Sequence, residues 1–267
     1  MTRTAVVTGC GAGIGRAIFD RLLADDYFVV GIEIDGGRSS EAQEFAGDDA
    51  KVLLGDVSDR HVLDRALEEA EHIDTLAGWV NNAGVAISGT LHDPNYAEVQ
   101  RLVSVNLMGV YWGSAAAVRG FLNARSGGSI VNISSVHGVA SFPGWAAYDM
   151  TKGGVDALTR YTAVEYGPVG IRANAIAPGA IRTEMMQGIV DDSDDPAALE
   201  SAFAAIHPLE RLGEVSEIAD VAAFLLSPRS SFVSGQVIAV DGGATARCYR
   251  FPPDPELLAL HGGQDIA

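Results

Sequence analysis

A hydroxyl, a phenol and an ammonium are spaced in this chain so that they can meet. Ser135 closes the apolar run Ser129-Ile130-Val131-Asn132-Ile133-Ser134-Ser135, which reads as a strand; a loop with Gly138, Pro143 and Gly144 follows, and a helix opens near Tyr148. Lys152 comes four residues after Tyr148, which places both on one face of that helix. A free phenol, with a pKa of about 10, is a poor base at neutral pH. An ammonium about 5 Å away, at an effective dielectric near 20, favours the phenolate by roughly 3 kcal/mol, or about two pKa units. Tyr148 is therefore the expected proton carrier. Ser135, as a hydrogen-bond donor, would hold a carbonyl or alkoxide oxygen beside it. Lysine scarcity sharpens the reading: of 18 basic residues only Lys51 and Lys152 are lysines. A chain that otherwise uses arginine has a compact point charge here, the side chain suited to tuning a neighbour.

The elements that must position this trio alternate along the chain. Residues 4–8 form a short apolar run, followed by Gly9-Cys10-Gly11-Ala12-Gly13-Ile14-Gly15 and a helical pattern through Ile18, Leu22 and Leu23. Strand, glycine loop and helix start make a phosphate-binding layout, because glycines let the backbone approach a pyrophosphate and free amides attract its charge. The general Gly-x-Gly-x-x-Gly fingerprint is not met; Thr8-Gly9-x-x-x-Gly13-Ile14-Gly15 is. The next strand, residues 28–35, ends in Glu33 and Asp35, and Glu33 lies 18 residues after Gly15, close to the spacing at which an acid receives the adenosine ribose hydroxyls. A carboxylate there repels a 2′-phosphate, so NAD is expected over NADP. Asp35 could share that role, either acid could instead face solvent, and Arg38 is the one residue that argues for NADP.

Residues 51–55 form a third strand with Asp56 at its end, and a fourth runs through Leu76 and Val80 into Asn81-Asn82-Ala83-Gly84, a backbone bend suited to a cofactor's side. A helix is expected over residues 96–122, carrying Asn106 as either a tolerated or a positioned polar residue. After the helix of Tyr148, which should reach Tyr166, come a strand over 171–177 and the turn Pro178-Gly179-Ala180-Ile181-Arg182-Thr183. Residues 184–212 read as a loop with short helices. The acidic run Asp191-Asp192-Ser193-Asp194-Asp195 lacks a spaced ligand pattern, and no metal site is expected there. A helix over 216–226 and a strand over 236–240 complete a doubly wound parallel sheet of about seven strands, α/β and Rossmann-like, in a single domain over residues 1–243. Residues 244–267, with Pro252, Pro253 and Pro255, form a tail that belongs to the same domain or docks on a neighbouring subunit.

Composition sets the outer bounds. With 267 residues and 48% hydrophobic content the chain can bury a large core. A net charge of −17 argues against nucleic acid or an anionic membrane as a partner. No apolar run approaches about 20 residues, so no membrane span is expected. Two cysteines, Cys10 and Cys248, make no disulfide framework, and no signal-like leader precedes the first strand; a cytoplasmic setting is the expectation.

Taken together, Thr8-Gly9-x-x-x-Gly13-Ile14-Gly15, Asn81-Asn82-Ala83-Gly84, Asn106, Ser135, Tyr148-x-x-x-Lys152 and Pro178-Gly179-x-x-x-Thr183 resemble the short-chain dehydrogenase/reductase family over residues 4–243. Ser135 stands 13 residues before Tyr148, where that family carries its serine. The resemblance implies a catalytic tetrad: Tyr148 exchanges a proton with the substrate oxygen, Lys152 lowers its pKa and binds the nicotinamide ribose, Ser135 holds the substrate oxygen, and Asn106 holds a water in a proton relay. It also implies that Asp56 and Val57 contact adenine, Asn82 and Gly84 the ribose side, and Ile181 and Thr183 the carboxamide. Homotetramers or homodimers are usual in the family, through the helices carrying Asn106 and Tyr148. The expected substrate is a secondary alcohol or its ketone, cyclic or of medium size, in a largely apolar pocket bordered by His137, Phe142, Trp145, Met185 and Met186. His137 could reach a substrate hydroxyl or be a solvent-exposed loop residue. Two further readings compete. One is an NADPH-dependent reductase of 3-oxoacyl thioesters; the other is a catalytically silent cofactor-binding regulator or scaffold, which would have no need of the rare Lys152 beside Tyr148.

Overall fold

Strands that are apolar at nearly every position must be covered on both faces. In the computed structural model, which describes residues 3–247, they are. The strands β1 (Arg3–Thr8), β2 (Tyr27–Glu33), β3 (Ala50–Leu54), β4 (Leu76–Asn81), β5 (Gly128–Ile133), β6 (Ile171–Pro178) and β7 (Val237–Val240) form one parallel sheet in the order β3-β2-β1-β4-β5-β6-β7. Alternate residues serve opposite cores, as the pleat requires. Ala5, Val7, Val29 and Val131 pack beneath α1 (Gly13–Ala24), α2 (Gly36–Ala46) and α9 (Val215–Leu226). Val6, Val30 and Ile130 pack against α3 (Arg60–Ile73), α5 (Val110–Ala124) and α6 (Ala146–Tyr166).

The helices form where apolar spacing and capping agree. In α3, Val62, Leu63, Ala66, Leu67 and Ala70 make one buried stripe, and Asp59 caps the start by accepting from the His61 amide at 3.0 Å. α9 opens on a capping box in which Glu214 and Glu217 each accept from the other's end of the first turn. One expectation needs correction: residues 96–122 are not a single regular helix. α4 (Tyr96–Leu102) passes into a π-helical stretch, Val103–Gly109, before α5. Asn106 is the cause in view: its Oδ1 accepts from the Val85 amide and its Nδ2 donates to the Val85 carbonyl, both at 2.8 Å, which holds this wide turn against the loop after β4.

Residues 184–212 do contain short helices, α7 (Glu184–Asp191) and α8 (Pro196–Ile206), which pack against each other. Within the acidic run between them Asp195 caps α8 through the Ala198 amide, and Asp191 accepts from Gln187. Of the tail, residues 244–247 turn back on the sheet, with the Thr245 hydroxyl donating to Asp241 at 2.6 Å; residues 248–267 lie outside the described residues.

A chain of buried side-chain hydrogen bonds joins the central strands to the helices of one face. Trp79 Nε1 donates to Asn81 Oδ1 (2.8 Å), and Asn81 Nδ2 donates to Ser114 Oγ (3.1 Å) and Asn132 Oδ1 (2.8 Å). Asn132 Nδ2 donates to Thr159 Oγ1 (2.8 Å), whose hydroxyl donates to the Val155 carbonyl. The chain thus spans β4, β5, α5 and α6. Replacing Asn132 with leucine takes from the buried Asn81 amide one of its two acceptors and from Thr159 its donor, and should lower unfolding free energy by about 2–4 kcal/mol. Urea midpoints at constant m-value measure this, and a loss below about 1 kcal/mol would show the chain to be energetically idle.

Candidate active site

The sheet order reverses between β1 and β4, and a crevice opens at the carboxyl ends of the strands there. It is a cavity of about 660 Å³ that runs from Glu33 and Asp56 to Tyr148 and Met186. Its floor is the glycine loop. Gly9 and Gly13 hold positive φ (66° and 55°), and a side chain on Gly15 would overlap the Gly9 carbonyl. Thr8 Oγ1 accepts from the Asn82 and Ala83 amides (2.9 and 3.0 Å), while Asn82 Nδ2 donates to the Thr8 and Gly9 carbonyls (2.9 and 3.1 Å). Asn82 therefore lines the cavity with its side-chain amide committed to the loop. Ala12 at the start of α1 supplies no side-chain acceptor, and the first turn has no acidic residue, so its amides are open to an anion. These features fit the pyrophosphate of a dinucleotide.

At the adenosine end, Glu33 is 6% exposed and its carboxylate accepts from three backbone amides: Gly11 (2.8 Å), Ile34 (2.9 Å) and Asp35 (3.0 Å). Asp35 is instead the cap of α2, accepting from the Arg38 amide at 3.0 Å. Arg38 pairs with Glu184 at 2.6 Å. Burial pushes the Asp56 carboxyl up, but the Ser58 amide and the Arg101 guanidinium, 2.7 Å away, outweigh it and its net shift is downward. Val57 is buried beside Gly109. Arg101 lines the same end and was not singled out by sequence; nothing in its spacing marked it.

The catalytic end gathers Ser135, Tyr148 and Lys152 from the β5 terminus and one face of α6. Lys152 Nζ lies 5.5 Å from the Tyr148 ring centroid and donates to the Ile133 carbonyl at 2.9 Å. Burial pushes the Tyr148 pKa up to about 12, with the Ser135 hydroxyl pulling down against it and Asp149 adding to the rise. Burial also pushes Lys152 down to about 8, partly opposed by Asp156. Proximity alone favours the opposite direction for the phenol; burial is the larger effect here. Asp156, one turn beyond Lys152, accepts from Ser134 Oγ at 2.6 Å while its other oxygen is buried without a partner. Asn106 is buried and does not line the cavity: its side-chain amide is bonded to the Val85 backbone, and a side chain on Gly84 would touch its Oδ1 at 3.4 Å.

Of the turn after β6, Pro178 is the last strand residue, the Gly179 amide donates to the Val240 carbonyl, and Thr183 caps α7 through the Met186 amide. Ile181 is buried and bridges to Gly213. His207, which sequence reasoning missed, fixes this turn: its Nδ1 faces the Asp241 carbonyl and its Nε2 accepts from the Ala180 amide at 3.2 Å. At the far wall, Phe142, Trp145, Met185, Met186 and Phe203 line an apolar mouth. His137 is no free surface residue: its Nδ1 lies 2.6 Å from Asp149 Oδ1, and its ring stacks on Phe142 at 4.4 Å. Asp149 was also missed, although its place beside Tyr148 in the first turn of α6 was a signal.

The lysine shift carries a sign that can be measured. With a folded pKa of about 8 against 10.5 for the free group, folded protein binds fewer protons than unfolded protein between those values, so stability rises with pH across that window. Lys152→Met should remove this rise, which amounts to up to about 3 kcal/mol. Urea midpoints of both proteins from pH 7 to 10 test it, and parallel profiles would contradict a desolvated ammonium.

Residues 9–245 match a family model described as enoyl-(acyl carrier protein) reductase. The chain is 38% identical over 244 residues to 2-(S)-hydroxypropyl-CoM dehydrogenase 3 of Xanthobacter autotrophicus, covering 90% of this chain and 95% of that one. It is 36% identical over 253 residues to levodione reductase of Leifsonia aquatica (91% and 94% covered). A crystal structure of levodione reductase superposes with a TM-score of 0.86 at 34% identity, covering 93% of this chain and 99% of that one. A structure described as ElxO with NADP bound gives 0.85 at 29% identity, covering 92% and 100%. Such matches, spanning nearly the whole described chain and the cavity just outlined, show that this protein belongs to the short-chain dehydrogenase/reductase family of oxidoreductases.

Proposed function

We propose that this protein is an NAD-dependent dehydrogenase that interconverts a secondary alcohol and its ketone. One observation carries the reading: a single cavity joins the amide-fixed carboxylate of Glu33 and the open amides of α1 to the Ser135, Tyr148 and Lys152 end. When bound, a nicotinamide dinucleotide supplies the acceptor or donor of hydride. Ser135 holds the substrate oxygen, and Tyr148 takes its proton in oxidation or gives one in reduction. Lys152, tethered to the Ile133 carbonyl, presents positive charge as the phenolate forms. Asn106, fixed on Val85, shapes the wall behind Lys152. The apolar mouth suits a cyclic or medium-sized carbon skeleton.

Glu33 supports NAD, since its carboxylate occupies the place where a 2′-phosphate would need a cation. Arg38 favours the second reading, an NADPH-dependent reductase of 3-oxoacyl thioesters, but its guanidinium is paired with Glu184. We also assign the protein to the cytoplasm as a homotetramer or homodimer. Among the described residues no helix is long and apolar enough to cross a membrane. Tyr111, Met150, Tyr161 and Val164 leave apolar surface on α5 and α6 for a second copy. Sedimentation showing a monomer at micromolar concentration would remove the assembly.

Turnover is the direct test. Purified protein with NAD and a panel of secondary alcohols should produce NADH absorbance, and Tyr148→Phe should lower kcat by at least about 1,000-fold; undiminished turnover in that variant would end the mechanism. kcat/KM should favour NAD over NADP by about 100-fold, with Glu33→Ala narrowing the gap, and a wild-type preference for NADP would overturn the role given to Glu33. Because the phenol is pushed up, oxidation, which needs the phenolate, should accelerate from pH 6 to 8, where Lys152, with a pKa of about 8, still carries much of its charge, while ketone reduction, which needs the phenol, should not. Equal pH profiles in the two directions would separate Tyr148 from proton transfer.

A further inference from the structure

Among the aromatic and methionine side chains that line the cavity near Tyr148 sits one imidazole, that of His137. His137 Nδ1 lies 2.6 Å from Asp149 Oδ1, and both side chains are largely buried, at 17% and 14% exposure. A lone pair facing a carboxylate oxygen at that distance is repulsive, so Nδ1 carries the hydrogen and donates it. The ring is clamped between aromatics, stacked on Phe142 and set edge-on to Trp145 and Tyr148, with its centroid 5.0 Å from that of Tyr148. Nε2 has no hydrogen-bond partner among the described residues, is not sealed from solvent, and belongs to a residue lining the cavity. A fixed tautomer, a rigid ring and an unpaired nitrogen beside the proton-transfer group make a recognition point.

We infer that His137, oriented by Asp149, determines specificity by hydrogen-bonding a second hydroxyl of the substrate, a few bonds from the one oxidised. A hydroxyl suits Nε2 in either protonation state, since it can donate to the neutral ring or accept from the imidazolium. The substrate class is then an uncharged diol, or the corresponding hydroxyketone in reverse. This rests on the dehydrogenase reading above and narrows it. A site that hydrogen-bonds a substrate hydroxyl discriminates strongly against analogues lacking it, because the polar group is otherwise left desolvated and unpaired.

The test uses the full chain with NAD and measures kcat/KM for cyclohexanol, the cyclohexane-1,2- and 1,3-diols and a hydroxycyclohexanecarboxylate. At least one diol should exceed cyclohexanol by about 30-fold or more. In His137→Phe that ratio should fall to within a few-fold of one, and His137→Gln should restore part of it. Asp149→Ala, which frees the ring to take either tautomer, should lower the ratio about 10-fold and serves if the phenylalanine variant does not fold. Cyclohexanol oxidised as well as every diol, or a diol preference unchanged by the variants, would overturn the inference while leaving the dehydrogenase intact. A carboxylate preferred over the diols and lost in His137→Phe would also overturn it, in favour of an anion-reading imidazolium. Oxidation of no alcohol at all would overturn both readings.

Discussion

Two asparagines that face each other across adjacent strands decide where the chemistry can be. Asn81 and Asn132 occupy the last and the penultimate positions of their strands, and their amides bond to each other, to Ser114 on α5 and to Thr159 on α6. A buried amide without a partner is expensive, so strands and helices can assemble in one register or not at all. α6 carries Tyr148, Asp149, Lys152 and Asp156 on consecutive turns, so its placement fixes all four. Hydrophobic contact alone could slide this helix by a fraction of a turn at little cost; the amide chain cannot follow such a slide.

Electrostatics in the site follow from the same burial. An ammonium near a phenol draws it towards ionisation in a polar medium, yet burial works against charge on both groups, pushing the Tyr148 phenol up and the Lys152 ammonium down. The Ile133 carbonyl and the Asp156 carboxylate partly replace the lost solvent around Lys152. The His137 and Trp145 rings pack edge-on against the phenol, with centroids 5.0 and 5.6 Å away. The chain thus keeps its proton on Tyr148.

Much of this was legible in the sequence for a physical reason. Apolar runs bounded by glycine and punctuated at regular intervals specify a two-sided parallel sheet, and Gly9, Gly13 and Gly15 specify a loop that only small residues can form. Tyr148 and Lys152 were legible because four-residue spacing and a rare lysine coincide. The partners lying between elements were not. His137 and Asp149 come from a loop and a helix, and no periodicity joins them. That Asn82, expected beside a cofactor and lining the cavity, also holds the glycine loop through its Nδ2 was not legible either. The burial that pushes the Tyr148 phenol up was not legible, because sequence gives separation along a helix and not depth below a surface.

The wide turn at Asn106 has a further implication for the chain's tolerance to change. By matching both the amide and the carbonyl of Val85, the side chain acts as a surrogate strand residue, so a helix registers a loop as a neighbouring β-strand would. That register depends on the extra residue in the turn. Deleting one residue upstream within 103–109 would restore ordinary helical winding and rotate the amide by about 100°, breaking its hold on the segment after β4 without touching any group that meets the substrate. Both the length of that stretch and the asparagine within it are therefore constrained.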